Sequence, residues 1–210
     1  MFLINILYID MNMKNLLLVV GGPGSSGAST IAKHLAEHFN LEREYSGGIF
    51  REVVASQGYK TLEDFYIQNK DNNEKFFEID EKVDSFMLER AKKGNVLIDS
   101  KAFAGLATIN NISCTAKIWL DCNLHTKIMR FLGKQGDLSF FRKIFLYVKT
   151  AFDLARRKRK DGQRFKELYG IDYSRPDLYN DIILDTTNLN VRETVDLILK
   201  KLRDGGFITE

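Results

Sequence analysis

The chain reads as an α/β protein, a mostly parallel sheet with helices on both faces. Three observations predict this. Short apolar runs recur at KNLLLVV (14–20), NVLIDS (95–100), AKIWLD (116–121) and DIILD (181–185), and the first is continuously apolar as a strand buried on both faces is. Between them lie stretches whose apolar residues repeat at helical spacing. The two patterns alternate, which is the order of βα units feeding a parallel sheet.

The elements follow in sequence. After the first strand comes the glycine-rich turn GGPGSSGAST, then a helix with Ile31, Ala32, Leu35, Ala36 and Phe39 on one face. A short segment, Glu42 to Tyr45, precedes SGGIFR. Thr61 and Asp64 form a capping box that opens a further helix. A longer one runs from about Glu74 to Lys92, with Ile79, Val83, Met87 and Leu88 inward and Gly94 just past its end. Asn190 and Glu193 cap a last helix whose core face is Val191, Val195, Ile198 and Leu202. Trp119 lies in a strand and reads as core.

Composition limits the function. The 210 residues suit one domain, 1–210, with no internal repeat and no low-complexity tract. Lys plus Arg is 31 and Asp plus Glu is 28, a net charge of only +3. That is little for a protein built to neutralise many phosphates of a nucleic acid. Cys114 and Cys122 lack ligand spacing and read as reduced cysteines of a cytoplasmic protein. His34 and His38 lie one helical turn apart but have no acidic or cysteine partner nearby in sequence, so they read as solvent-facing. The longest apolar run, Leu16–Val20, is far short of a membrane span. The start, MFLINILYIDMNMK, has no basic opening and meets Asp10 before any cleavage site, so it does not read as a signal peptide. Translation from Met11 or Met13 would enter the first strand equally well.

The chemistry concentrates at strand ends. Gly22-Pro23-Gly24-Ser25-Ser26-Gly27-Ala28-Ser29-Thr30 fits G-x-x-x-x-G-K-[ST] except that the lysine is Ala28. Backbone N–H groups and the following helix N-terminus still make an anion cradle. Ser29 stands where a hydroxyl reaches Mg²⁺. Arg51 follows Ser46-Gly-Gly and could grip a phosphate in bidentate fashion or simply be a surface helix arginine. Lys101 follows NVLIDS at the ligand edge of the sheet; Asp99 at that strand's end could hold Mg²⁺ through water or cap the next helix. Between Arg142 and Lys166 there are ten Lys or Arg against Asp153 and Asp161. The run Arg156 to Lys160 suits a nucleic-acid arm, a solvated face or a mobile lid. Arg157, Asp161 and Arg164, spaced i, i+4, i+7, share one helix face and favour the lid.

These residues resemble a family. GGPGSSGASTIAKHLAEHF, SGGIFRE, EIDEKVD, LIDSK, KIWLD, the series from Arg157 through RFKELYGID, and the final DTTN are similar, over about residues 14–203, to the archaeal-type cytidylate kinases. The resemblance implies a three-layer P-loop NTPase fold with a five-stranded parallel sheet, a nucleoside-monophosphate-binding region at about 46–93 and a lid at about 130–170. It implies transfer of the ATP γ-phosphoryl group to CMP or dCMP with Mg²⁺, by a cytoplasmic monomer with no specific nucleic acid and no membrane partner. Gly22 to Thr30 would be the ATP loop. Ser46, Arg51, Lys101, Arg157, Asp161 and Arg164 would hold CMP. Lys101, Arg130 and Arg157 would be the catalytic cations, and Ser29 and Asp99 the metal site. Asp80 and Asp84 match family aspartates without an assigned role. Ala28, Gly48 and Lys101 depart from the family's Lys, Asp and Arg, and Phe140, Phe141, Phe145, Tyr147 and Phe152 are more aromatic than a lid needs. The departures leave two alternatives, a kinase of this fold for another acceptor and a nucleotide-binding protein without turnover.

Overall fold

A computed structural model describes residues 15–69, 72–136 and 139–209; the apolar opening segment lies outside them. Five strands make one all-parallel sheet: β1 (Leu17–Gly21), β2 (Glu42–Tyr45), β3 (Val96–Asp99), β4 (Ala116–Asp121) and β5 (Ile182–Asp185). Their order is β2-β3-β1-β4-β5. The register sets Val20 beside Asp99 and Gly21 beside Trp119, so the carboxyl ends of the three central strands finish together. β1, β3 and most of β4 are buried on both faces, which is why their sequences are continuously apolar.

Helix α1 (Ala28–His38) and the C-terminal α8 (Val191–Asp204) cover one face. Ile31, Ala32, Leu35 and Ala36 meet Ile198, Leu199 and Leu202 there. Val191, expected in the α8 core, is exposed, because it opens the helix at the rim. Asn190 and Glu193 form the capping box that the sequence indicates. The opposite face carries α2 (Ser46–Ser56), α3 (Leu62–Gln68), α4 (Asn73–Lys93) and α5 (Phe103–Ile109). Thr61 caps α3 by accepting from the Asp64 amide, but the Asp64 side chain makes no return bond, so only half of the expected capping box is formed. Phe65 is fully buried at the centre of edge-on contacts with Phe50, Tyr59 and Phe76. α6 (Leu124–Leu132) leads to α7 (Phe140–Tyr169), one unbroken helix of 30 residues that ends at Gly170 in the left-handed conformation.

Gly105 of α5 faces Ile171, just past α7, with no room between them: a Cβ there would lie 2.6 Å from Ile171 Cδ1. Gly105→Ala is expected to destabilise the fold by about 1–3 kcal/mol through overpacking. Adding Ile171→Val should recover part of the loss. Urea unfolding of the single and double variants tests this; additive losses would show that the two residues do not compete for space.

Candidate active site

The turn after β1 is shaped by close approach. A Cβ on Gly22 would sit 2.2 Å from the Leu120 carbonyl oxygen, so only glycine lets the chain pass β4. Ser25 and Gly27 take positive φ (63° and 95°), and the Ser26 amide donates to the Pro23 carbonyl at 3.1 Å. The amides of Gly24, Ser25 and Gly27 have no acceptor among the described residues. With the α1 N-terminus behind them they form an anion cradle. No acid stands in the first turn of α1 to compete.

Facing this turn is a cavity of about 430 Å³. Its walls include Gly22 to Thr30, Ser46, Arg51, Asp99, Lys101, Arg157, Asp161 and Arg164. The strand order places the turn and Lys101 side by side, and α7 brings Arg157, Asp161 and Arg164 over them. All three residues of the i, i+4, i+7 series therefore reach one space. Asp161 holds Lys101 Nζ at 2.7 Å, and Arg164 Nη2 donates to Asp161 at 3.3 Å.

Asp99 does not cap α5, whose N-cap is Ala102. Its carboxylate accepts from Ser29 Oγ at 3.2 Å and pairs with Arg43 through Nε and Nη2. Ser29 and Asp99 thus form a small set of hard oxygen donors beside the anion cradle, which suits Mg²⁺ that keeps most of its water. No cluster of three or more His, Cys, Asp or Glu occurs among the described residues, so a cation here would draw its other ligands from phosphate and water.

Asp80 and Asp84, one turn apart on α4, are buried in the cavity wall. Arg164 Nε lies 2.8 Å from Asp80 as an ion pair not aligned for a hydrogen bond, and Tyr169 donates to Asp84 at 2.6 Å. Burial pushes the Asp80 carboxyl up to about 7 and the Asp84 carboxyl up to about 6, despite Arg164. For Asp80 the nearby carboxylates of Asp84 and Asp161 add a smaller push in the same direction, while Arg164 and Lys101 oppose it. Burial also raises the Asp99 carboxyl, with Arg43 opposing it.

Arg130 is not brought into the cavity. Its guanidinium turns back beneath the loop and donates to the Ser26 carbonyl at 2.6 Å, the Thr186 carbonyl at 2.7 Å and the Leu189 carbonyl at 3.3 Å. Its position near the end of α6, directly after β4, points it at the back of the turn. It braces the cradle and the β5 loop rather than facing a reacting group. The basic run Arg156 to Lys160 is also divided: Arg156 pairs with Asp153 on the outer surface, while Arg157 lines the cavity. Sequence reasoning missed Arg43, Tyr66 and Lys134, which reach the site from β2, α3 and the end of α6. The basic residue two positions before Tyr45, within a strand otherwise ending at the ligand edge, was the available signal for Arg43.

The comparisons agree with this geometry. Residues 20–138 match the AAA domain family model. The cytidylate kinase of Methanopyrus kandleri is 30% identical over 191 residues, covering 88% of this chain and 91% of that protein. The cytidylate kinase of Pyrococcus furiosus is 34% identical over 173 residues, covering 82% and 80%. The chain belongs to the cytidylate kinase family. Its fold also matches shikimate kinase from Bacteroides thetaiotaomicron, with TM-score 0.53, 13% identity and coverage of 90% and 99%.

Two outcomes follow from the charges. Asp80 and Asp84 bind a proton more tightly folded than at their unfolded value of 3.8. Their stabilising contribution is complete below about pH 4 and is lost as pH rises through about 6 and about 7. Urea unfolding of the ligand-free protein should therefore show a component of stability falling between those limits, and Asp80→Asn should flatten it. An identical slope in both proteins would contradict the assignment. Arg43→Ala strands the buried Asp99 carboxylate and should cost about 3 kcal/mol. Arg43→Lys should restore only part, since a point charge replaces a two-nitrogen contact; full recovery in urea unfolding would rule out the fork.

Proposed function

We propose that the protein transfers the γ-phosphoryl group of ATP to CMP or dCMP, giving ADP and CDP or dCDP. The observation that carries the reading is the single cavity in which the amides of the glycine turn face Arg51, Lys101, Arg157 and Arg164. Two anions can be held there close enough for a phosphoryl group to pass between them. The Gly24, Ser25 and Gly27 amides receive the donor phosphates. Ser46 and Arg51, at the opening of α2, receive the acceptor phosphate together with Lys101.

The chemistry needs no protein nucleophile. An acceptor phosphate oxygen attacks the γ-phosphorus as its bond to the ADP oxygen breaks. Ser29 and, through water, Asp99 would hold Mg²⁺, which would supply charge neutralisation at the donor oxygens. Arg157 is exposed on α7 and has no carboxylate partner among the described residues. It supplies the cation that Ala28 omits and stabilises charge on the phosphoryl group in flight. Arg164 and Asp161 set the acceptor pocket, anchored on Asp80. Arg130 acts as a positioning residue for the cradle. The reaction takes place in a cytoplasmic monomer.

Purified protein with ATP and Mg²⁺ should form ADP only when CMP or dCMP is added, and less with other monophosphates. CMP-independent ADP release, or none with any monophosphate, would refute the reading. Arg157→Ala should lower kcat by about 10³-fold while changing CMP affinity little. Equal loss in kcat and affinity would place Arg157 in ground-state binding instead.

A further inference from the structure

The first half of α7 carries a feature that phosphoryl transfer does not use. Phe140, Phe141, Phe145 and Phe152 are 70%, 83%, 65% and 74% exposed, and Ile144 and Val148 are exposed beside them. At about 100° per residue, Phe141, Ile144, Phe145, Val148 and Phe152 fall within a wedge of about 100°, and Phe140 borders it. Thr150 and Leu154, on the far side, face inward. Arg157, Asp161 and Arg164 lie about 140–200° around the helix from Phe141. The ridge and the cavity-facing residues thus occupy opposite faces of one rigid helix. Closing α7 over the cavity leaves the ridge uncovered.

We infer that this ridge seats the protein on an anionic phospholipid surface. Charge complementarity selects the occupant. Arg142 and Lys149 stand beside the wedge while Lys143 lies on the opposite face; no acid occurs from Ser139 to Phe152, and Asp153 just beyond is paired with Arg156. Arg142 and Lys149 flank one edge of the wedge and are exposed. Protruding rings with flanking cations are the composition of a helix lying in a bilayer interface, where the rings enter the acyl boundary and the cations reach the headgroups. A second copy fits poorly. An antiparallel pair of ridges sets Arg142 of one copy near Lys149 of the other. This amends the expectation of no membrane partner. No helix among the described residues is long and apolar enough to cross a bilayer, so the contact is peripheral. It does not depend on the kinase reading.

Sedimentation of the full chain with phosphatidylcholine vesicles, and with vesicles of phosphatidylcholine plus phosphatidylglycerol, tests this. The protein should pellet with the anionic vesicles at least tenfold more strongly than with the neutral ones, and salt should weaken it. F141S/F145S and R142E/K149E should each lower that binding tenfold or more while keeping the far-UV spectrum and the vesicle-free turnover of the parent. No pelleting with either vesicle, pelleting that ignores lipid charge, or pelleting untouched by both variants would overturn the proposal. So would a concentration-dependent dimer in vesicle-free solution that F141S/F145S dissolves, since that would give the ridge to a second copy.

Discussion

Four carboxyl groups line one crevice, those of Asp80, Asp84 and Asp99 buried and that of Asp161 half-buried, and the fold depends on what faces them. Each has a partner from a distant part of the chain: Arg164 for Asp80, Tyr169 for Asp84, Arg43 for Asp99 and Lys101 for Asp161. These contacts tie α7 to α4 and to the end of β3, and tie β2 to β3. Removing Arg43 would leave the buried Asp99 charge without its counterion, which costs more than the intact pair contributes. The acids are therefore more than ligands in waiting. They hold the long helix in register with the sheet edge before any nucleotide arrives.

The same pairing sorts the cations. Lys101 and Arg164 are already neutralised by carboxylates, so an incoming phosphate must share them with Asp161 and Asp80. Arg51 and Arg157 are exposed, and the Arg51 guanidinium rests 5.3 Å from the centre of the Tyr45 ring. The cations around the crevice thus divide into those engaged by carboxylates and those, Arg51 and Arg157, with no carboxylate partner among the described residues. Arg130 belongs to the first group, because its donors are consumed by carbonyls beneath the glycine turn. The exposed ridge on the outer face of α7 is compatible with this division, since it uses none of the residues that the crevice requires.

Much of the fold was legible in the sequence because its signals are local. Continuous apolar runs marked β1, β3, β4 and β5, and helical spacing marked the inward faces of α1 and α4. Thr61 and Asn190 announced their helices by side-chain chemistry within three residues, as capping does. The glycine turn was equally plain, since Gly22 and Gly27 answer to backbone constraints that sequence spacing displays. The convergence of Arg157, Asp161 and Arg164 followed from helix periodicity alone. Val191 was misplaced for the complementary reason: periodicity gives a face but not how far the partner surface extends along it.

By itself, then, the sequence determined the α/β layering, the anion-binding turn with its alanine at the lysine position, and the shared face of the three α7 residues. Only the tertiary structure decided which charges meet. That Arg43 grips Asp99, that Asp80 answers Arg164 across 84 residues, and that Arg130 turns under the loop depend on strand order and on the direction in which α7 crosses the sheet. Electrostatic partners act over a few ångströms of space and carry no period along the chain, so no pattern in the sequence could announce them.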